Sequence, residues 1–265
     1  MTTDTLHASP GLVIRHARRG DGDLVVVTFS DMLDRGAAEP EAAFGWRWLA
    51  RHGISQIAVC AERPDWFQCP GFMEGMAAVS QRIAAEGYRR STLYGLSMGG
   101  FGALLAAPVL RPGRILALAP QISVDPAAVP WERRFAAEVS QISPFRWRID
   151  PDAGRGSTVI LLHDPLKGAD HRHVRLIRRG RVVSDLPAYG ARHNLVAWLA
   201  ARGAGAPLLA QLQQRAPPGA LRREIRSLRR ADPRWRPKME RRLGAARVAA
   251  ILAACARAVA QRVPG

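Results

Sequence analysis

Apolar positions in the first 200 residues follow two alternating arrangements. Short, nearly unbroken aliphatic or β-branched runs occupy 11–14, 24–29 (LVVVTF), 56–60, 91–94, 115–118, 158–162 and 182–186. Runs this short and this apolar suit strands buried on both faces of a sheet. Between them the apolar residues take helical spacing over 41–52, 73–86, 98–110, 171–179 and 194–202. Four of these stretches stop at a glycine (Gly53, Gly87, Gly180 and Gly203) and one before Pro112, both ordinary helix ends. Asp170 stands where it would cap the fourth. Strand and helix in alternation predict an α/β fold: a mainly parallel sheet with helices on both faces.

Residues 120–156 break the rhythm. They hold several prolines, Asp125, Trp131 and Trp147, with one helix expected near 131–139. An insertion between two parallel strands falls at their carboxyl ends, where open α/β sheets bind ligands, so this segment reads as a lid or substrate wall. From residue 205 the composition changes again, and Pro217-Pro218-Gly219 makes a break. Helices expected over 220–230 and 237–261 then read as a helical appendage (205–265) to a domain spanning 1–204.

Composition alters this picture in one respect. The formal net charge is +17, carried mostly by arginine, and residues 205–265 contain 14 basic and 3 acidic residues, so +11 of it lies there. Such a block suits a protein partner or an anionic surface. Nucleic acid is disfavoured, because Trp235 is the only aromatic residue among these arginines and no recognition motif accompanies them. No apolar run reaches the roughly 20 residues of a membrane span. Residues 1–10 carry no basic region followed by an apolar one, so no secretory signal is read and a cytoplasmic location is expected. Cys60, Cys69 and Cys255 then read as reduced thiols. No cysteine or histidine spacing matches a zinc site, and no metal or other cofactor is expected.

The chemistry is concentrated in Tyr94-Gly95-Leu96-Ser97-Met98-Gly99-Gly100. Between a predicted strand and a predicted helix, G-x-S-x-G is a nucleophile elbow: a strained turn lifts the serine above the sheet beside a helix N-terminus. Ser97 is the candidate nucleophile, and the Met98 N–H a candidate oxyanion donor. A second donor belongs in the loop after 24–29, where the N–H of Ser30 or of Asp31 would serve. In this fold the acid and the histidine follow the serine in that chain order. Only His193 follows the last strand, in a short loop opening a helix, which makes it the candidate base. The acid is expected in the loop after 158–162, where Asp170 is favoured and Asp164 competes.

These residues resemble a group of bacterial α/β-hydrolase-fold proteins that accompany polysaccharide and glycan-export genes. The likeness spans roughly residues 20–200. It is carried by Val27-Thr28-Phe29-Ser30, Asp65-Trp66-Phe67-Gln68, the elbow with Phe101-Gly102-Ala103-Leu104, and Ala117-Leu118-Ala119-Pro120-Gln121-Ile122-Ser123. The resemblance implies Ser97 as nucleophile, His193 as base, an ester or acyl-group substrate, and a pocket lined by Trp66, Gln68 and Gln121. Two functions are therefore expected. One is a serine esterase or acyltransferase acting on a small-molecule or glycan ester. The alternative is a non-catalytic partner in a polysaccharide assembly or export complex, working through its basic helices.

Overall fold

The computed structural model describes residues 3–33, 36–231, 237, 240, 241 and 244–260. Eight strands form one sheet: β1 (Thr3–Ser9), β2 (Leu12–Ala17), β3 (Leu24–Phe29), β4 (Ser55–Ala61), β5 (Arg90–Leu96), β6 (Arg114–Leu118), β7 (Thr158–His163) and β8 (Ser184–Pro187). Their spatial order is β1-β2-β4-β3-β5-β6-β7-β8. From β4 to β8 every pairing is parallel, while β1 and β2 join antiparallel at one edge. The helices are α1 (Trp46–Arg51), α2 (Phe72–Ala85), α3 (Met98–Leu110), α4 (Ala136–Val139), α5 (Gly168–Ile177), α6 (Leu195–Ala200), α7 (Gly205–Leu212), α8 (Pro218–Ala231) and α9 (Ala245–Ala260).

The alternation of the strands divides the core in two. Val25, Val27, Phe29, Leu93, Ile115, Ala117, Val159 and Leu161 face one layer, with Phe72 and Met76 of α2, Leu104 of α3 and Val174 of α5. Val26, Tyr94, Leu96, Leu116, Leu118, Ile160 and Leu162 face the other, with Leu49, Leu195, Leu199, Leu208, Leu212, Leu221 and Ile225. Both faces of the central strands are covered, which is why their sequences are apolar throughout.

Several expectations are corrected. No strand is expected over the polar residues 1–10, yet β1 forms there; its residues are mostly exposed because it is an edge strand, so it lacks an apolar run. The helix expected over 41–52 is a 3-10 turn (Pro40–Ala42) followed by α1, separated at Gly45, whose φ of 75° lies in the left-handed region. The helix expected over 131–139 is reduced to the single turn α4. Part of the stretch 237–261 lies outside the described residues, which include α9. The boundary after residue 204 does not separate two cores either. α7 and α8 fill the second face of the sheet, and Arg114 at the start of β6 donates to the Gln211 carbonyl at 3.0 Å and the Ala216 carbonyl at 2.9 Å.

The chain runs from β3 outward to β4, then returns past β3 to β5 and on to β8. That reversal is the switch point of the sheet, and the loop leaving β5 opens above it.

Candidate active site

Ser97 lies between β5 and α3 with φ 57° and ψ −116°, a backbone conformation that non-glycine residues rarely adopt. Its N–H continues the sheet by donating to the Leu118 carbonyl at 2.8 Å. The turn is tight enough that the neighbouring glycines cannot be replaced. A Cβ on Gly95 would stand 2.2 Å from the Gly99 backbone, and one on Gly99 would stand 2.3 Å from the Phe29 carbonyl oxygen. The motif therefore encodes a close approach of β5, α3 and the end of β3.

Three side chains meet at and beside the Ser97 oxygen. His193 Nε2 lies 2.9 Å from Ser97 Oγ, and His193 Nδ1 lies 2.8 Å from Asp170 Oδ2. The Gln121 amide donates to the same Ser97 Oγ at 2.9 Å. The orientation of that amide follows from its other partner. The Trp66 indole N–H, which can only donate, reaches Gln121 Oε1 at 3.1 Å, so the NH2 group must face Ser97. With one lone pair of Oγ engaged by Gln121, the hydroxyl proton is directed at His193.

Asp170 is the aspartate that reaches His193. It does not cap α5, whose N-cap is Lys167; it sits in the first turn, fully buried, with both oxygens committed to side chains. Burial opposes its charge, but the hydrogen bonds and charges of His193 and Arg134 outweigh that and hold its carboxyl below the usual carboxylate range. Asp164 is corrected as a candidate acid. Its Oδ1 accepts the Leu166 N–H at 2.9 Å and its Oδ2 the Arg192 N–H at 2.8 Å, so it ties the strand end to the backbone beside His193. Arg192 has a φ of 64°, and this turn delivers the imidazole over Ser97.

The oxyanion expectation is divided in the same way. Met98 opens α3, where the first N–H groups of a helix have no intrahelical partner. Ser30 is corrected: its N–H donates to the Val59 carbonyl at 3.0 Å and its hydroxyl accepts the Ala61 N–H at 2.9 Å, which commits it to the sheet. Asp31, the other residue weighed for this loop, accepts the Leu33 N–H on its Oδ1 at 2.8 Å.

The three residues expected to line a pocket have different surroundings. Gln121 is at the Ser97 oxygen. Trp66 is fully buried beneath the insertion, its ring 5.0 Å from that of Phe135, so it supports Gln121 and lines no open surface. Gln68 is bound to the insertion: its Oε1 accepts the Trp147 N–H at 2.8 Å and its amide donates to the Trp147 carbonyl at 3.2 Å. The left-handed φ values of Trp66 (52°) and Phe67 (55°) turn this loop back under residues 120–156. His171 and His173, two apart in sequence, diverge to His163 and Glu132 respectively. Cys60 and Cys69 are both buried, and burial pushes the Cys69 thiol up to about 11. Sequence reasoning missed Arg134, Glu132 and the part played by His173. They belong to no motif; the folded insertion brings Arg134 and Glu132 behind Asp170, where His173 of α5 meets Glu132.

A mainly parallel eight-stranded sheet flanked by helices, with a serine elbow at its switch point, defines an α/β-hydrolase fold. No family model matches the chain. No curated protein matches it either. Solved structures do. The capsule O-acetyltransferase of Neisseria meningitidis serogroup A aligns at 11% identity and TM-score 0.56, over 78% of this chain and 93% of that one. A hyperthermophilic esterase from Pyrobaculum calidifontis aligns at 16% identity and TM-score 0.51, over 84% and 85%. The bottromycin epimerase BotH, solved with bottromycin A2, aligns at 15% identity and TM-score 0.51, over 80% and 100%. At these identities the likeness establishes the fold. Two of these three neighbours are acyl-handling enzymes and the third is an epimerase, so function has to be argued from the site. Among the described residues no helix is long and apolar enough to cross a membrane.

Proposed function

We propose that this protein is a serine hydrolase or acyltransferase that cleaves an ester and passes its acyl group to water or to a glycan hydroxyl. The observation that carries this reading is the continuous contact Ser97–His193–Asp170, with both links under 3 Å. His193 accepts the Ser97 proton through Nε2 while Oγ attacks the ester carbonyl. The oxyanion of the tetrahedral intermediate is held by the Met98 N–H and an N–H at Asp31. Collapse expels the alcohol, which takes the proton from His193 and leaves an acyl-enzyme on Ser97. Water or a sugar hydroxyl then gives its proton to His193 as it attacks the acyl carbon, and His193 returns that proton to Ser97 Oγ. Asp170, kept ionised, stabilises the imidazolium in both half-reactions.

A glycan hydroxyl enters as an acceptor through the sequence resemblance to glycan-associated hydrolases, and water through the ordinary course of an acyl-enzyme. The buried, unbridged thiol of Cys69 suits a cytoplasmic setting. An assembled nucleophile, base and acid argue against the non-catalytic alternative, because a scaffold alone has no use for a strained serine held 2.9 Å from a histidine. Ser97→Ala is expected to abolish labelling by a fluorophosphonate probe and turnover of p-nitrophenyl acetate while the fold survives. Labelling or turnover that persists in Ser97→Ala refutes the assignment.

A further inference from the structure

The insertion is bound to the active site through charged groups that the chemistry above does not use. Arg134 donates to Asp170 Oδ1 at 2.7 Å, while Asp170 Oδ2 serves His193. The same guanidinium grips Glu132, with Nε 3.0 Å from each carboxylate oxygen and Nη2 2.6 Å from Oε2. Glu132 Oε2 in turn lies 3.0 Å from His173 Nε2, and His173 Nδ1 accepts the Ile122 N–H at 3.3 Å. An N–H can only donate, so Nδ1 carries no proton and the ring donates to Glu132 through Nε2. Burial favours this neutral form by lowering the His173 pKa. Ile122 follows Gln121, whose amide is on Ser97. The contacts thus close a ring from Ser97 through His193, Asp170, Arg134, Glu132, His173 and the Gln121–Ile122 backbone to Ser97 again.

We infer that Arg134 is a positioning residue of this site: carried in by the insertion, it locks the Asp170 carboxylate onto His193, and Glu132 restores the negative charge that Arg134 would otherwise cancel. The inference rests on the proposed triad. Its electrostatic logic follows from what faces Asp170. His193 approaches from the loop after β8, Arg134 from the insertion with Glu132 directly behind it, and His173 lies on the same helix as Asp170. With His173 neutral, two carboxylates and one guanidinium leave the buried cluster with one net negative charge. That charge is neutralised when His193 takes the serine proton. Without Glu132, the guanidinium would offset more of the Asp170 charge and the imidazolium would be held less strongly, although Asp170 Oδ2 remains the nearer charge. Without Arg134, the carboxylate would lose its second anchor and could rotate away from Nδ1. The Asp170, Glu132 and His173 side chains are almost wholly buried, and the Arg134 side chain, a third exposed, closes the cluster off from the insertion side.

The test compares wild type, Arg134→Gln, Arg134→Lys, Glu132→Gln and, as control, the exposed Arg133→Gln, by steady-state turnover of p-nitrophenyl acetate with circular dichroism as the check on folding. Arg134→Gln is expected to lower kcat by about 10²-fold, the usual scale for a misplaced reacting group, with KM within about twofold. It should also shift the acidic limb of the pH–rate profile upward, because Asp170 then takes up a proton more readily. Arg134→Lys should recover part of the loss, and Arg133→Gln should match wild type. Glu132→Gln keeps the guanidinium in place and should lower kcat about tenfold with KM unchanged, so it carries the test alone if Arg134→Gln does not fold. Folded Arg134→Gln or Glu132→Gln with wild-type kcat and pH profile overturns the clamp while leaving the triad standing. Wild-type protein without Ser97-dependent labelling overturns the triad, and the clamp with it.

Discussion

At the scale of single residues, the site is set by groups that have only one hydrogen-bonding role available. An indole N–H orients an amide, the amide orients a serine hydroxyl, and a backbone N–H chooses the tautomer of His173. The same scale contains a carboxyl that works against the fold. Asp65 is 5% exposed and accepts the Phe67 N–H at 2.9 Å, and burial pushes its pKa up from 3.8 to about 6. Because the folded-state value lies above the unfolded one, the contribution of Asp65 to stability is fully present below about pH 4 and is lost as pH rises through about 6. Asp65→Asn keeps the acceptor for Phe67 and removes the charge. It is expected to stabilise the protein by about 1–3 kcal/mol at pH 8 and by little at pH 4, read from urea unfolding at the two pH values. An equal change at both values, or a loss at pH 8, would count against a buried charge at this position.

At the scale of elements, the elbow and the histidine loop are each held by backbone contacts. α3 can begin against the end of β3 only because Gly99 has no side chain there. Gly99→Ala would place a methyl group inside the Phe29 carbonyl, and backbone on both sides cannot yield cheaply. The expected cost is above about 3 kcal/mol, at the severe end for a single substitution. A thermal melt of Gly99→Ala would show it as a large fall in Tm or failure to fold; a Tm within a few degrees of wild type would contradict the packing described. Asp164 shows the same principle in a polar group: competing in sequence as the catalytic acid, it works instead on the Leu166 and Arg192 backbone and holds the loop that presents His193.

At the scale of the whole molecule, α7 and α8 belong to the core. Leu208, Leu212, Leu221 and Ile225 cover the second face of the sheet beside Leu116 and Leu162. Each large aliphatic side chain removed from a core costs about 2–5 kcal/mol, so a chain cut at residue 204 would lose more than the typical stability of a domain. Truncation there is expected to give unfolded or insoluble protein by circular dichroism and size exclusion; a folded 1–204 fragment would disprove it. The role of the basic helices is therefore to be probed by replacing exposed arginines, since deletion would remove part of the core. By itself, the sequence determined the parallel sheet, the elbow at Ser97 and His193 as its partner. Those features are local: unbroken apolar runs mark strands buried on both faces, and a strained turn needs glycines at set positions. Edge strand β1 escaped that reading because a strand with a solvent face has no apolar run. Only the tertiary structure set Asp170 rather than Asp164 against His193, bound Ser30 into the sheet, and brought Arg134 and Glu132 behind Asp170. Those outcomes depend on which way a loop turns and what the insertion packs against, and contacts between residues far apart along the chain leave no periodic signal within it.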